Sequence, residues 1–195
     1  RISFSGELAY EIAVPARYGN ALMEALMEAG EEFGATPYGT EALGVMRIEK
    51  GHVTGNELNG TTTALNIGLG RMVSQKKDSI GTVNSRREGL NAQDALMLVG
   101  LKPVNAAEPV VPGSHLMNET GEVHARTDQG YVTSACYSPN LGCHIGSSIG
   151  LAFLKNGSAR MGERLRAVNP LQGQEVLVEV VSAHFIDPEG ERLRG

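Results

Sequence analysis

The sequence predicts an α+β fold, with an α+β unit over residues 1–90 followed by a small antiparallel β unit, a barrel or a sandwich, over residues 91–195. Three observations predict it. Apolar residues near the amino terminus alternate as they do in a strand, and the residues after them place apolar side chains at helical spacing. From about Ala95, short strand-like runs follow one another, separated by Gly, Pro, Asn or Asp.

The first predicted element is a strand, because Tyr10, Ile12 and Val14 alternate with Glu11 and Ala13. The turn sequence SGE precedes this run and a proline ends it. The chain opens directly in this strand pattern, with no initiator methionine and no signal sequence. We therefore expect a fragment of a longer polypeptide, whose function depends on further residues.

Two helices are predicted next. Residues 17–33 place apolar side chains at helical spacing, and Gly34 follows as a stop signal. The apolar positions are Leu22, Ala25, Leu26 and Ala29. A second helix is predicted from Thr40, as the N-cap, to Lys50, with Gly51 as the C-cap.

Five short runs in the second half predict strands of a barrel or sandwich: ALMLVGL, EVHART, GYVTSA, IGLAFL and EVLVEVV. The tripeptide Asp128-Gln129-Gly130 predicts a tight turn between the second and third runs. Because helical spacing gives way to strand-like runs, the boundary between the two units is predicted near residue 90.

Composition excludes several classes of protein. The formal net charge is −5, which argues against a general nucleic-acid-binding protein. No run of about 18 apolar residues occurs, so no membrane-spanning helix is predicted. Two cysteines in 195 residues do not form a disulfide framework, which predicts a reducing compartment, the cytoplasm.

Both cysteines, Cys136 and Cys143, lie with His144 in the stretch GYVTSACYSPNLGCHIG. The paired spacing of a structural zinc site and a second ligand cluster are both missing. No neighbouring base identifies a nucleophilic cysteine. We predict two small, partly buried thiols and a surface histidine, with neither a metal nor a disulfide.

Three acidic side chains are candidates for a site. Glu11 lies inside the predicted strand, where it either faces solvent, as the pattern favours, or accepts two N–H groups of a heterocycle in a polar pocket. Glu41 and Arg47 are too far apart in sequence to pair along the second helix. Together with Glu49 they predict an ordinary amphipathic helix. The glycines between residues 51 and 70 form neither a dinucleotide fingerprint nor a phosphate loop.

Three motifs, taken in order, resemble those of one family. FSGELAYEIAVP is similar to a strand motif of Tyr-Thr-Gly-Glu followed by a second glutamate, VMRIEKGH to a helix ending in Leu-Arg-Leu-Glu, and VTSACYSPNLG to a Thr-Ser then Ser-Pro-x-Leu signature. These motifs belong to the folate-binding aminomethyltransferases, the family of the glycine cleavage T-protein. GTEALGVMRIEKGH, KNGSARMGERLRAVNPLQGQEV and DPEGERLRG further resemble the α subunits of heterotetrameric sarcosine oxidases. The resemblance covers nearly the whole chain.

The resemblance implies part of an aminomethyltransferase folate-binding core, followed by the family's small C-terminal β-barrel domain. It also implies a role in the oxidative demethylation of sarcosine, with tetrahydrofolate capturing the one-carbon unit. In the complete complexes of this kind, NAD, FAD and FMN are bound largely outside this region, and the partners are the β, γ and δ subunits. The sarcosine-oxidising chemistry is therefore expected elsewhere in the complex.

The resemblance also assigns residues. Glu11 occupies the place of a glutamate that binds the pterin ring, and Phe4 that of a tyrosine. Leu43 replaces an arginine, so that role is lost, and the nearby Glu41 is a further candidate for folate binding. The family's key aspartate is expected upstream of Arg1, so no catalytic residue is assigned here.

The resemblance gives the barrel signature a structural role, in which it shapes a close connection to the folate-binding core. The residues concerned are Thr133, Ser134, Ser138 and Pro139. Two other functions are consistent with the resemblance: a stand-alone folate-dependent aminomethyltransferase or demethylase, and a non-catalytic interaction module of the same fold. With half of the folate core missing, we expect the isolated chain to self-associate.

Overall fold

The structure, a computed structural model, describes residues 3–74, 76–92, 94–141 and 146–194. Helices and turns dominate as far as residue 92, and a six-stranded barrel follows from residue 96. The predicted α+β fold class is confirmed by this arrangement. No described helix is long and apolar enough to cross a lipid bilayer.

The predicted strand around Glu11 is wrong. Residues 9–15 form no strand and pair with no other described segment, although their sequence alternates as in a strand. Tyr10 is 66% exposed and Ile12 is 54% exposed. A strand is stable only when its backbone N–H and C=O groups pair with a neighbour, and no such neighbour lies within the described chain.

Both predicted helices are present. The helix α1 spans Gly19–Gly30 and is flanked by 3-10 turns at Ala16–Tyr18 and Glu31–Phe33. The helix α2 spans Thr40–Lys50, as predicted, and ends at Gly51 in the left-handed conformation (φ 78°). The predicted N-cap is wrong, because Gly39 occupies that position and Thr40 is the first helical residue. A third helix, α3, is a single turn at Thr82–Ser85.

The helices differ in burial. No residue of α1 is buried, whereas α2 buries its last turn, residues 47–50, against the barrel strands β3 and β4. In the barrel, β1 spans Leu96–Pro103, β2 His115–Asn118, β3 Gly130–Ser138, β4 Ser147–Lys155, β5 Arg164–Asn169 and β6 Gln174–Val181. The helix α2 is thus one of the elements that join the first half of the chain to the barrel.

The barrel is closed and antiparallel, with strand order β1-β4-β3-β2-β5-β6. Strand β6 returns to pair with β1, with Leu101 opposite Val180. Apolar side chains from the strands, together with Val110, fill the interior, and eight of them are 0% exposed: Val99, Leu101, Leu116, Ala152, Leu154, Leu165, Val178 and Val180. Gly130 lies where β3 passes β4 so closely that a Cβ on it would be 2.0 Å from the Phe153 carbonyl oxygen.

Two of the six strands were not predicted, and one predicted strand is absent. The run EVHART contains a 3-10 turn at Ala125–Thr127 instead of a strand. Strand β2 has four residues, and β5 carries two arginines among its six, so neither stands out as an apolar run. The predicted tight turn at residues 128–130 is also wrong, because a longer connection through residues 119–129 joins β2 to β3.

Candidate functional site

A buried ion pair joins α2 to the loop that follows it. Arg47 Nη1 lies 3.3 Å from Glu57 Oε2, and the two side chains are only 8% and 0% exposed. Arg47 Nη2 donates a hydrogen bond to Ser134 Oγ on β3 (2.8 Å). A buried charge pair of this kind is tolerated only where further hydrogen bonds satisfy both partners.

Glu57 receives those further hydrogen bonds. Thr133 Oγ1 and Ser134 Oγ each donate to its Oε1 at 2.6 Å, and the backbone N–H of Thr54 donates to its Oε2 at 2.8 Å. Burial alone would raise the pKa of Glu57, but these hydrogen bonds and the Arg47 charge outweigh burial and lower the pKa below its ordinary value. Glu57 is therefore ionised at neutral pH. We call Arg47, Thr54, Glu57, Thr133 and Ser134 the Arg47–Glu57 cluster.

A second carboxylate of α2 is tied to the end of β3. Glu49, which is 4% exposed, accepts hydrogen bonds from Ser138 Oγ (2.5 Å) and Asn140 Nδ2 (3.0 Å) on its Oε1. The Thr-Ser and Ser-Pro signature thus joins the barrel to α2, which is the structural role expected for it. The interpretation of α2 as an ordinary amphipathic helix is wrong, because its charged residues Arg47, Glu49 and Lys50 are buried.

The α2 cleft lies on the neighbouring face of the same helix. It has a volume of about 560 Å³ and is lined by Gly39, Glu41, Ala42, Val45, Met46, Pro139 and Asn140. Its walls are mainly apolar, and Glu41 and Asn140 supply the polar side chains. Met46 and Asn140 also line a smaller pocket of about 70 Å³, next to Ser5, Gly6 and Glu7. The cleft therefore adjoins the segment that leads to Glu11.

The sequence-predicted site residues lie in different places. Glu11 is exposed and makes no hydrogen bond or ion pair with the described residues. The Phe4 carbonyl oxygen lies 2.9 Å from His52 Nδ1, just beyond the C-terminal end of α2. Glu41 lies in the first turn of that helix. At 1.5 Å per residue, Phe4 and Glu41 are roughly 15 Å apart along the helix axis. Folate binding by these three residues stays a prediction.

Cys136 is a half-buried free thiol. Burial and the nearby Glu49 carboxylate raise its pKa to about 11, against a smaller lowering by Arg47, so it is protonated at neutral pH. Cys143, the second predicted thiol, and His144, the predicted surface histidine, lie outside the described residues. Within the described part of the chain, no three His, Cys, Asp or Glu side chains are grouped to hold a metal ion.

Two family models match the chain in the order in which its motifs occur. Residues 1–77 match the GCVT N-terminal domain, and residues 97–187 match the glycine cleavage T-protein C-terminal barrel domain. The chain belongs to the glycine cleavage T-protein family.

Similar members of the glycine cleavage T-protein family include subunits of a larger enzyme. The sarcosine oxidase subunit alpha of Rhizobium meliloti is 47% identical over 99% of this chain, and that of Corynebacterium sp. (strain P-1) is 42% identical over 100% of it. The chain spans 19% and 20% of these two relatives. The aminomethyltransferase of Halothermothrix orenii is 30% identical over 95% of the chain, which spans 49% of it.

A solved structure of the family has the same fold. The glycine cleavage system aminomethyltransferase T from Bartonella henselae matches with a TM-score of 0.71 over 94% of this chain and 48% of its own. At 22% identity, this match concerns the fold alone. It agrees with the prediction of a partial aminomethyltransferase core followed by the barrel domain.

Proposed function

We propose that this chain is the folate-binding region of the α subunit of a sarcosine oxidase. The observation that carries the proposal is the 47% identity, over 99% of the chain, to a sarcosine oxidase subunit alpha. In keeping with this assignment, the chain divides near residue 90 into folate core and barrel domain, and the protein is cytoplasmic.

The proposed reaction belongs to an oxidoreductase that acts on a CH–NH bond with oxygen as acceptor. Sarcosine, O₂ and tetrahydrofolate give glycine, H₂O₂ and 5,10-methylenetetrahydrofolate. Without folate, water takes the place of tetrahydrofolate as the acceptor of the one-carbon unit, and formaldehyde is released. The NAD, FAD and FMN of the complex, and the β, γ and δ subunits that partner the α subunit, would supply the oxidation. The role of this chain would be to hold tetrahydrofolate where the one-carbon unit arrives.

The described residues fit such a ligand. The Glu11 carboxylate is exposed and has no partner among the described residues, so both of its oxygens can accept the adjacent N–H groups of a pterin ring. The α2 cleft, at about 560 Å³, lies within the usual range of about 300–1,000 Å³ for small-molecule sites. Its apolar wall at Ala42, Val45 and Met46 suits an aromatic or aliphatic part of the ligand. Glu41 and Phe4 are the further candidate contacts.

Replacing Glu11 by alanine in the complete enzyme tests the proposal. A charge-assisted pair of hydrogen bonds is worth about 1.5–3 kcal/mol, so the Kd for tetrahydrofolate, measured by calorimetry, should rise roughly 10- to 100-fold. Folate-free H₂O₂ production should not change. The control is Glu32→Ala in the exposed turn after α1, which should bind folate normally. An unchanged Kd in Glu11→Ala would reject Glu11 as a folate ligand.

A stand-alone aminomethyltransferase is the second candidate function, favoured by the 30% identity to the enzyme of Halothermothrix orenii. The two candidates differ in what they require, since a sarcosine oxidase needs flavoprotein subunits and an aminomethyltransferase does not. Purification of the native protein from its source separates them, because a stoichiometric flavoprotein partner favours the first. A complete absence of folate binding in the native protein would leave the non-catalytic interaction module.

We also expect the isolated 195-residue chain to self-associate through residues 1–50. Apolar side chains are exposed there, with Met23 46% and Leu26 45% exposed on α1, and exposed apolar patches promote association. Analytical ultracentrifugation should detect oligomers that Leu26→Glu weakens. The control is Leu171→Glu, at a 97% exposed barrel position, which should leave them intact. A monomer at high concentration would contradict this expectation.

The isolated chain should also bind folate poorly, because only the wall of the pocket that carries Glu11 is expected in it. Glu11 supplies only about 1.5–3 kcal/mol, whereas micromolar affinity needs about 8 kcal/mol. Folate binding is therefore measured on the complete enzyme.

A further inference from the structure

The segment after β6 returns to the end of α2. We call residues 183–192 the C-terminal strap. The backbone N–H groups of Phe185 and Ile186 donate to the Glu49 carbonyl oxygen at 2.9 and 3.0 Å. Contact between strap and helix is close, since a Cβ on Gly51 would lie 2.5 Å from the Ala183 carbonyl oxygen. The strap is therefore fixed against the last turn of α2.

The strap also fixes the side chain of Lys50. Lys50 Nζ lies 3.0 Å from Asp187 Oδ2, the two side chains are 8% and 9% exposed, and the ammonium also donates to the Asp187 carbonyl oxygen. The Asp187 carboxylate accepts further hydrogen bonds from the backbone N–H groups of Glu191 (2.8 Å) and Arg192 (3.2 Å). Asp187 thus holds the strap in a closed loop and holds Lys50 in one position.

Lys50 in turn packs against the segment that precedes Glu11. Gly6 is buried with φ +90°, and a Cβ on it would lie 2.8 Å from Lys50 Cγ and 2.9 Å from Lys50 Cδ. The aliphatic part of Lys50 therefore covers the backbone at Gly6. On the surface, Arg192 of the strap pairs with Glu7 at 3.0 Å, where both side chains are about half exposed. Residues 3–8 are anchored by these contacts and by the hydrogen bond from His52 to Phe4.

We propose that Asp187, acting through Lys50, is a positioning residue that sets the place of Glu11 in the folate site. This inference rests on the proposed function. Glu11 lies in residues 9–15, which have no helix and no strand to fix them, so the anchored residues 3–8 on one side and the turn before α1 on the other determine where its carboxylate lies. A side chain that is already in position before the ligand binds loses less conformational entropy on binding. A displacement of that side chain by about 1 Å is enough to weaken its interaction with the ligand.

The test uses the complete enzyme with its subunits. Asp187→Ala should raise the Kd for tetrahydrofolate roughly tenfold, while kcat and KM for sarcosine without folate change less than about twofold. Asp187→Asn, which keeps the shape of the side chain, serves if the alanine variant does not fold, and Lys50→Met should act alike. The control is Glu163→Ala, which breaks an ion pair with Arg160 in the connection between β4 and β5 and should leave folate binding unchanged.

A double variant separates positioning from simple destabilisation. If Asp187 acts by placing Glu11, then Asp187→Ala should weaken folate binding little further once Glu11→Ala is present, because the two substitutions remove one interaction. Additive effects, or a normal Kd in both Asp187→Asn and Lys50→Met, would overturn the inference while leaving the proposed function intact. If Glu11→Ala itself leaves the Kd unchanged, both the role of Glu11 and its positioning by Asp187 are rejected.

Discussion

Replacement of Glu57 by alanine is expected to lower the free energy of unfolding by about 3–5 kcal/mol. The substitution leaves the Arg47 guanidinium buried, 8% exposed, without its counter-charge. It also removes the acceptor of the Ser134 hydroxyl group and one of the two acceptors of the Thr133 hydroxyl group, which keeps the Leu151 carbonyl oxygen. Urea denaturation of the 195-residue chain, followed by circular dichroism, measures the loss.

Two controls show whether the unpaired charge causes this loss. Glu163→Ala breaks an ion pair whose carboxylate is 42% exposed, and solvent screening should limit its effect to less than about 1 kcal/mol. The double variant Arg47→Met with Glu57→Leu removes both charges, so it should be more stable than Glu57→Ala alone. A loss below about 1 kcal/mol for Glu57→Ala would show that the pair contributes little to stability.

The response to acid gives an independent check on Glu57. Burial acts to raise its pKa, but the hydrogen bonds and Arg47 lower the pKa in the folded state below its ordinary value of 4.5. The stability that this group contributes is therefore complete above about pH 4.5 and is lost as the pH falls through the lower folded-state pKa. Glu57→Gln, which does not titrate, should lack this part of the acid-induced loss.

Gly130→Ala is expected to destabilise the barrel by about 3 kcal/mol or more, the sum of overpacking and backbone strain. The added Cβ would lie 2.0 Å from the Phe153 carbonyl oxygen and 2.9 Å from the carbonyl carbon. Both are backbone atoms of a strand that is paired on both sides, so they cannot move away without breaking the ladder. Thermal unfolding, monitored by calorimetry, measures this effect.

Gly113→Ala is the matched control for Gly130→Ala. Gly113 also has a positive φ, +81°, but no atom lies within 4 Å of the position of its Cβ. Its replacement should cost only the backbone term of about 1–2 kcal/mol. Equal losses in the two variants would mean that strand contact at Gly130 adds nothing to the cost.

Elements with local signals were predictable from the sequence. The C-terminal bound of α2 follows from Gly51, a signal that lies at the end of the helix itself. The segment around Glu11 has an equally clear strand pattern, yet it forms no strand, because pairing depends on a distant neighbour and not on the segment itself. Strand β5 alternates correctly, but its arginines hide the pattern among polar residues.

The same distinction applies to the polar contacts of α2. The signature residues Thr133, Ser134 and Ser138 could be recognised as structural by resemblance. Their acceptors could not, because Glu57 precedes Thr133 by 76 residues and Glu49 precedes Ser138 by 89. No periodicity or spacing rule spans such separations, so the sequence predicts only an ordinary amphipathic helix for Glu49 and Arg47. The available signal was a group of three charged residues at the end of α2, Arg47, Glu49 and Lys50, with Glu57 close behind it in the sequence.

The pairing of β1 with β6 sets the order in which the chain can fold during synthesis. Strand β1 leaves the ribosome before its neighbour β6, because four strands lie between them in the sequence, and Gly100 must wait for Val181. Until then the barrel stays open, and such non-local pairing is slow to form. The buried charges of α2 meet their β3 partners earlier, but on a sheet that is still incomplete. Translation pauses after β5 would therefore prolong a state prone to misfolding, whereas pauses before β1 would not.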